Sequence, residues 1–195
     1  SQVTVVEFCK EILPNFDSDI AKRLKQTLNR RGIKFFTSAA VKKIRHDEES
    51  LAVEFEQKGK TQELSCEKAL MAVGRKPFLP KGLEAAGINY NAHGIETDDN
   101  FQTNVSGIYA IGDVNGRCML AHAATAQGKS VLGDKKYLNV IPSAVFTHPE
   151  AGMVGITEDA AKQQGMEVTI KKSFFRINGK ALAMNEPEGM VKLVV

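Results

Sequence analysis

Apolar and polar residues at the start of the chain are spaced as in a β-α-β unit. Residues 3–6 are β-branched and end at the acidic Glu7, which is typical of a buried parallel strand. Between residues 20 and 28 an apolar residue recurs at every fourth position, which predicts an amphipathic helix that Gly32 ends. Residues 33–36 predict a second strand. This order predicts a right-handed crossover between parallel strands.

The next segments predict a short antiparallel region and a return to the sheet. Residues 41–45 and 51–56 read as one strand pair that turns at residues 47–50, and Gly59 begins a second turn. Residues 69–73 are apolar throughout, so we expect them to form a strand in the sheet interior.

A second strand, turn and helix pattern occupies the middle of the chain. Residues 101–105 lead into residues 108–113, which predict a buried strand that ends in Gly112 and Asp113. A helix pattern follows over residues 121–132.

The region that begins at Ile141 is antiparallel in character. It predicts a helix over residues 157–164 and strands over residues 143–147, 168–175 and 190–195. We therefore expect an α+β element there, distinct from the doubly wound part before it.

Composition narrows the functional classes. The 195 residues are 43% apolar and carry a net charge of +3, with the basic residues spread along the chain, so we expect no nucleic-acid partner. No apolar run approaches the roughly 18 residues that span a bilayer. Residues 1–4 lead straight into a strand pattern and not into a signal peptide. We therefore expect a cytoplasmic protein without a membrane partner.

The three cysteines are Cys9, Cys66 and Cys118, which form no C-x-x-C or C-x-x-x-x-C pair. A redox dithiol needs two sulfur atoms that can approach each other. We therefore interpret the cysteines as small buried apolar side chains in a reducing compartment. No spacing of His, Cys and acidic residues predicts a metal site.

Glu7 lies where a nucleotide-binding acid would lie. In a dinucleotide-binding β-α-β unit, the second strand ends in an acid that accepts hydrogen bonds from the adenosine ribose hydroxyls. A carboxylate there also repels a 2′-phosphate, so it favours NAD over NADP. The glycine-rich turn of such units is not visible, because only six residues precede Glu7. A solvated acid at a strand end remains the alternative.

The segment around Gly112 and Asp113 is the stronger signal. Gly112 would let the backbone approach a ligand closely, and Asp113 would accept a hydrogen bond from a sugar or ribityl hydroxyl. The helix that begins near residues 119–122 adds backbone N–H groups, which suit the flavin edge where negative charge accumulates on reduction. The alternative is an ordinary strand, turn and helix.

Four segments resemble landmarks of the class I pyridine nucleotide–disulfide oxidoreductases and follow the same order. Within that family, the segments resemble those of the dihydrolipoamide dehydrogenases most. The segments are residues 3–8, 73–77, 103–113 with 119–123, and 146–150. The resemblance implies an α/β fold: a partial doubly wound FAD- and NAD-binding region, followed by the start of an α+β interface (dimerisation) domain. The implied divisions are part of the NAD-binding domain (1–77), the C-terminal part of the FAD-binding domain (78–140) and a truncated interface domain (141–195).

The resemblance also implies residue roles. Glu7 would hold the NAD adenosine ribose, and Val41 and Gly74 would line the NAD site through their backbones. Asp113 would bind the ribityl or pyrophosphate part of FAD. The residues that would lie against the flavin, largely through main-chain atoms, are Met119, Leu120, Ala121 and His122. The family's base histidine is also followed by proline, but His148 comes too early in the chain and is interpreted as structural.

The implied activity is electron transfer from dihydrolipoamide through a dithiol and FAD to NAD+, in a homodimer that serves 2-oxoacid dehydrogenase or glycine cleavage complexes. The family's redox dithiol and catalytic base are not seen here, so we expect an internal piece that is inactive alone and retains FAD weakly. Alternatives within the class are a mercuric reductase, a soluble transhydrogenase or a glutathione reductase relative. Outside it, the chain could be a non-catalytic assembly module.

Overall fold

The computed structural model describes residues 1–47, 49–134, 136 and 141–195. These residues form two compact units. One unit comprises Ser1–Leu70 and Ser143–Val195, and the other comprises Met71–Pro142. None of the described helices is both long enough and apolar enough to cross a membrane.

The predicted β-α-β unit is confirmed. Strands β1 (Thr4–Val6) and β2 (Lys34–Phe36) pair in parallel, and helix α1 (Ser18–Arg30) connects them. Asp17 caps α1, because its side chain accepts hydrogen bonds from the backbone N–H groups of the first turn. Glu7 is the first residue after β1, so it lies at the carboxyl end of the parallel pair.

The predicted antiparallel region is confirmed as a three-stranded sheet. Its strands are β3 (Ala39–Asp47), β4 (Ser50–Gln57) and β5 (Lys60–Cys66), with β4 in the centre. Glu48, in the predicted turn between β3 and β4, lies outside the described residues. Phe55 of β4 is fully buried, and its ring centroid lies 5.0 Å from that of Phe36.

The expectation of a buried strand at residues 69–73 is wrong. This segment has no strand structure, and the side chains of Leu70, Met71 and Val73 are 91%, 77% and 88% exposed. A strand needs a neighbour for its backbone hydrogen bonds, and no described strand pairs with this one. Apolar composition alone therefore did not fix its conformation.

The second unit is built around short antiparallel contacts. Strands β6 (Tyr90–Asn91) and β7 (Gly94–Ile95) form a small hairpin that the sequence did not predict. Leu83, Ile95 and Ala110 form the apolar core of this unit.

The predicted buried strand over residues 108–113 is also wrong. Residues 108–110 fold back on residues 101–103, with Thr103 N–H donating to the Ile108 carbonyl (2.8 Å), and Gln102 and Tyr109 form a single antiparallel bridge. This local pairing uses backbone groups that a longer sheet strand would need. The chain then enters a 3-10 turn (Gly112–Asn115), and helix α2 (Ala121–Val131) follows as predicted.

The last part of the chain has the predicted α+β character. Strands β8 (Ser143–Val145) and β9 (Ala151–Met153) pair antiparallel, as do β10 (Ile170–Phe174) and β11 (Met190–Val194). The predicted helix over residues 157–164 is present as α3 (Glu158–Gln163), and Thr157 caps it by accepting from Ala160 N–H. A short helix α4 (Gly179–Ala183) was not predicted. Ile12, Ala21, Leu24 and Ala151 form one buried cluster of the first unit.

Candidate functional site

Glu7 is held in place by backbone hydrogen bonds on both sides. Its N–H donates to the Phe36 carbonyl (2.8 Å), and its carbonyl accepts from Ala39 N–H (2.9 Å). Its carboxylate accepts a hydrogen bond from Cys9 N–H at 2.7 Å. The carboxylate is half-buried, so it is oriented by the chain around it and still reachable at the strand end.

The same carboxylate affects Cys9. A hydrogen bond to Glu7 and burial raise the pKa of the Cys9 thiol, so the thiol stays protonated and is a poor nucleophile. Cys9, Cys66 and Cys118 are all free, and all are half-buried. The expectation that they are buried is therefore wrong, because each remains partly exposed.

A surface hollow of about 320 Å³ begins at Phe8, next to Glu7. Its other lining residues come from β3 and β4 and their flanks: Ser38, Ala40, Lys42, Glu56 and Lys58. Lys42 Nζ lies 3.2 Å from Glu56 Oε2, so this lysine is already paired with a carboxylate. Val41 lies between two lining residues, at an irregularity in the β3–β4 register. Glu7, Val41 and this hollow therefore all lie in the first unit. Gly74 belongs to the second unit, in a segment without helix or strand structure, and its φ is +104°.

The turn that carries Gly112 and Asp113 is fixed by a buried polar network. Gln127 Oε1, on α2, accepts hydrogen bonds from Gly112 N–H (2.8 Å) and from Asn115 Nδ2 (2.9 Å). Asn115 Nδ2 also donates to the Ala110 carbonyl at 3.0 Å. Asp113 is exposed, so its carboxylate faces outward from a turn whose other polar groups face inward.

Glycine is needed at position 112. Its φ is +74°, and a Cβ there would lie 3.2 Å from the Cβ of Ala124 on α2. The backbone of the turn therefore packs directly on the helix. The sequence indicated the glycine, but it did not reveal that Asn115 and Gln127 hold the turn. The available signal was a glutamine on the buried face of a predicted helix.

Helix α2 begins without a side-chain cap. Leu120 occupies the N-cap position and makes no side-chain hydrogen bond to the first turn. The first N–H groups of a helix lack partners within the helix, so this end can receive an acceptor with negative charge. Met119 and Leu120 are half-buried, and Ala121 and His122 are exposed.

His122 has a partner of its own. Its Nε2 lies 2.7 Å from the Pro142 carbonyl, which can only accept, so Nε2 donates the proton. The ring is thus engaged in a hydrogen bond to the backbone. His148 lies in the first unit, where its Nε2 is 3.2 Å from Glu186 Oε1. Among the residues that the structure describes, no three His, Cys, Asp or Glu side chains are grouped to hold a metal ion.

Two sequence profiles match the chain. The profile described as pyridine nucleotide-disulphide oxidoreductase matches residues 1–128, and the profile of the dimerisation domain of the same family matches residues 141–195. The chain belongs to this family. Enzymes of the family use FAD and NAD, and its dimerisation domain indicates a homodimeric family.

Several relatives of the chain are dihydrolipoyl dehydrogenases. It is 37% identical to a dihydrolipoyl dehydrogenase of Mycobacterium leprae over 202 residues, which cover 98% of this chain and 43% of the relative. It is 36% identical to a dihydrolipoyl dehydrogenase of Geobacillus stearothermophilus, covering 100% of this chain and 43% of that protein. The chain therefore spans less than half the length of these relatives.

Solved flavoprotein structures share the fold. The HOCl-induced flavoprotein disulfide reductase RclA from Escherichia coli superposes with a TM-score of 0.86 at 27% identity, over 100% of this chain and 46% of that one. LpdA from Mycobacterium tuberculosis superposes with a TM-score of 0.84 at 29% identity, over 98% of this chain and 43% of that one. The expected fold class, a nucleotide-binding α/β region followed by a dimerisation domain, is confirmed.

Proposed function

We propose that this chain supplies part of the NAD site and part of the FAD site of an enzyme that oxidises dihydrolipoamide with NAD+. The observation that carries the proposal is the position of Glu7, a half-buried carboxylate at the carboxyl end of a parallel strand pair. Dinucleotides bind at that edge of a doubly wound sheet. The names of the relatives support the substrate, since they are dihydrolipoyl dehydrogenases.

On the NAD side, the Glu7 carboxylate accepts hydrogen bonds from the adenosine ribose hydroxyls. The hydrogen bond from Cys9 N–H holds the carboxylate in place before the ligand arrives. Val41 and Gly74 contribute backbone contacts. The site disfavours a 2′-phosphate, because Glu7 repels it and Lys42 is paired with Glu56 at 3.2 Å.

On the FAD side, the exposed Asp113 carboxylate accepts a hydrogen bond from a hydroxyl of the ribityl chain or lies near the pyrophosphate. Met119, Leu120, Ala121 and His122 lie against the flavin, mainly through main-chain atoms. When bound, the flavin relays two electrons from a dithiol to NAD+. The uncapped start of α2 suits this group, because its N–H groups stabilise negative charge on a neighbouring ring.

The organisation of the whole enzyme is part of the proposal. Residues 1–77 belong to the NAD-binding domain, 78–140 to the FAD-binding domain and 141–195 to the interface domain of a homodimer. The enzyme serves a 2-oxoacid dehydrogenase or glycine cleavage complex. These 195 residues do not turn over dihydrolipoamide alone, because their three cysteines are free and not paired as a disulfide.

The test is the effect of Glu7→Gln on the whole protein that contains this chain. The substitution removes a hydrogen bond to a charged group, which contributes about 1.5–3 kcal/mol. We therefore expect kcat/KM for NAD+ to fall roughly 10- to 100-fold. The preference for NAD+ over NADP+ should narrow, and KM for dihydrolipoamide should not change. Glu54→Gln, which removes a carboxylate from β4 of the same unit, is the matched control. Unchanged kinetics with NAD+ in Glu7→Gln would contradict the proposed site.

A further inference from the structure

A buried lysine outside the candidate site joins three elements of the first unit. Lys192 lies on β11, and only 4% of its side chain is exposed. Its Nζ lies 2.8 Å from Asp17 Oδ2, 2.7 Å from Asp19 Oδ2 and 2.6 Å from Glu158 Oε2. An ammonium has three N–H donors, so each donor meets one carboxylate. These carboxylates belong to the cap of α1, the first turn of α1 and the first residue of α3.

Each of the three carboxylates makes a second interaction. The other oxygen of Asp17 accepts from Asp19 N–H at 3.0 Å and caps α1. Asp19 Oδ2 also lies 2.8 Å from Lys172 Nζ, and Glu158 Oε1 lies 2.6 Å from Lys162 Nζ. Three ammonium groups thus balance three carboxylates. A buried charge is tolerated only when it is paired in this way.

The protonation states agree with the geometry. Hydrogen bonds from Lys172 and Lys192 lower the pKa of Asp19 to about 2. Burial opposes the charged form of Lys192, but its hydrogen bonds to Asp17, Asp19 and Glu158 raise its pKa above the ordinary value. Hydrogen bonds from Lys162 and Lys192 likewise lower the pKa of Glu158 to about 2, so Asp19, Glu158 and Lys192 are charged at neutral pH.

The antiparallel hairpin of β10 and β11 supplies two lysines of this cluster. Lys172 and Lys192 are directly opposite each other in its register. Like charges in that position repel, and Asp19 of α1 reduces the repulsion because its Oδ2 contacts both ammonium groups. The hairpin lies in the dimerisation-domain match and α1 in the nucleotide-binding match, so the cluster joins the two.

Helix α1 is in turn connected to the segment that follows Glu7. Asp17 ends this segment, residues 8–17, and Ile12 within it packs with Leu24 of α1 and Ala151 of β9. Lys25 Nζ on α1 lies 2.5 Å from Glu11 Oε1 in the same segment. A shift of α1 would therefore move the chain directly after the proposed ribose-binding acid.

We propose that Lys192 is a positioning residue for NAD+ binding: through Asp17 and Asp19 it fixes α1 and the segment after Glu7 against the dimerisation hairpin. The proposal rests on the proposed function, because it takes Glu7 as the NAD+ site. Lys192 itself does not touch the nucleotide. Its effect is transmitted through α1.

The test measures NAD+ affinity and steady-state kinetics in the whole, FAD-loaded protein. Lys192→Met keeps the length of the side chain and removes the charge. It should weaken NAD+ binding about 5-fold or more, a typical coupling between linked sites, and leave KM for dihydrolipoamide unchanged. Lys192→Arg should restore most of the affinity. The matched control is Lys162→Met, which removes the 2.6 Å contact to Glu158 of α3 but keeps the contacts of Lys192 to Asp17 and Asp19, so it should leave NAD+ affinity unchanged.

Two further variants keep the test decisive. If Lys192→Met does not fold, Asp19→Asn takes its place, because it removes one charge but keeps a hydrogen-bond acceptor. Full-strength NAD+ binding in the folded variant would overturn the role of Lys192, and so would equal losses for both substrates. Glu7→Gln is measured beside them. If it leaves NAD+ binding intact, the proposed NAD+ site fails; if it weakens binding while the Lys192 variants do not, only the coupling fails.

Discussion

Replacing Gln127 by leucine should destabilise the second unit, because Gln127 holds the turn of Gly112 and Asp113 through one buried oxygen. Gln127 Oε1 accepts from Gly112 N–H at 2.8 Å and from Asn115 Nδ2 at 2.9 Å. Asn115 Nδ2 would keep its hydrogen bond to the Ala110 carbonyl, at 3.0 Å. Gly112 N–H would lose its partner, and leucine fills a similar volume without replacing the acceptor.

The magnitude follows from these two bonds. A buried N–H left without an acceptor costs about 1–3 kcal/mol, and the second lost hydrogen bond adds about 1 kcal/mol. We therefore expect the free energy of unfolding to fall by about 2–4 kcal/mol. Denaturant unfolding monitored by circular dichroism measures this change, and FAD content reports whether the turn still binds the cofactor.

Ser130→Ala is a matched control on the same helix. Ser130 and Gln127 are each 4% exposed, but Ser130 Oγ has no hydrogen-bond partner among the described residues. Its removal should leave the stability unchanged or raise it slightly. If Ser130→Ala costs as much as Gln127→Leu, or if Gln127→Leu is neutral, the polar network does not hold the turn.

Two more predictions follow from backbone shape and from charge. Gly116 has φ of +65°, and a Cβ added there would overlap the His93 carbonyl; Gly87 has φ of +66°, and a Cβ added there would meet nothing within 4 Å. Gly116→Ala should therefore lower the unfolding midpoint clearly more than Gly87→Ala does. Equal effects of the two variants would refute the overlap. Hydrogen bonds from lysines lower the pKa of Asp19 from 3.8 and of Glu158 from 4.5, each to about 2. A lowered pKa means that the stability from these carboxylates is present above about pH 4.5 and is lost as the pH falls towards 2. The free energy of unfolding, measured as the pH is lowered, should show this dependence, and Asp19→Asn should make the dependence weaker. An identical pH profile in the variant would contradict the assignment of this stability to the ion pairs of Asp19.

The first part of the fold could be predicted because local and long-range signals agree there. The apolar period of α1, the stop at Gly32 and the β-branched run before Glu7 all indicate the same β-α-β unit, which the structure contains. Turn residues likewise indicated the β3–β4 pair. Each of these elements finds its partner close by in sequence.

The predictions failed where burial depends on a partner strand. Leu70 and Val73 are as apolar as a core strand requires, yet no described strand pairs with them. Residues 108–110 pair locally with residues 101–103, which periodicity does not reveal. Contacts between polar residues far apart in sequence, such as Lys192 with Asp17, also have no signature in a single sequence. The roles of the predicted cofactor residues stay predictions.

The most direct test of the proposed cofactor sites is a crystal structure of the whole protein with FAD and NAD+ bound. We expect the Glu7 carboxylate to accept hydrogen bonds from the adenosine ribose of NAD+, and Asp113 with the start of α2 to contact FAD. A nucleotide bound away from Glu7, or a flavin that contacts neither Asp113 nor residues 119–122, would contradict the account.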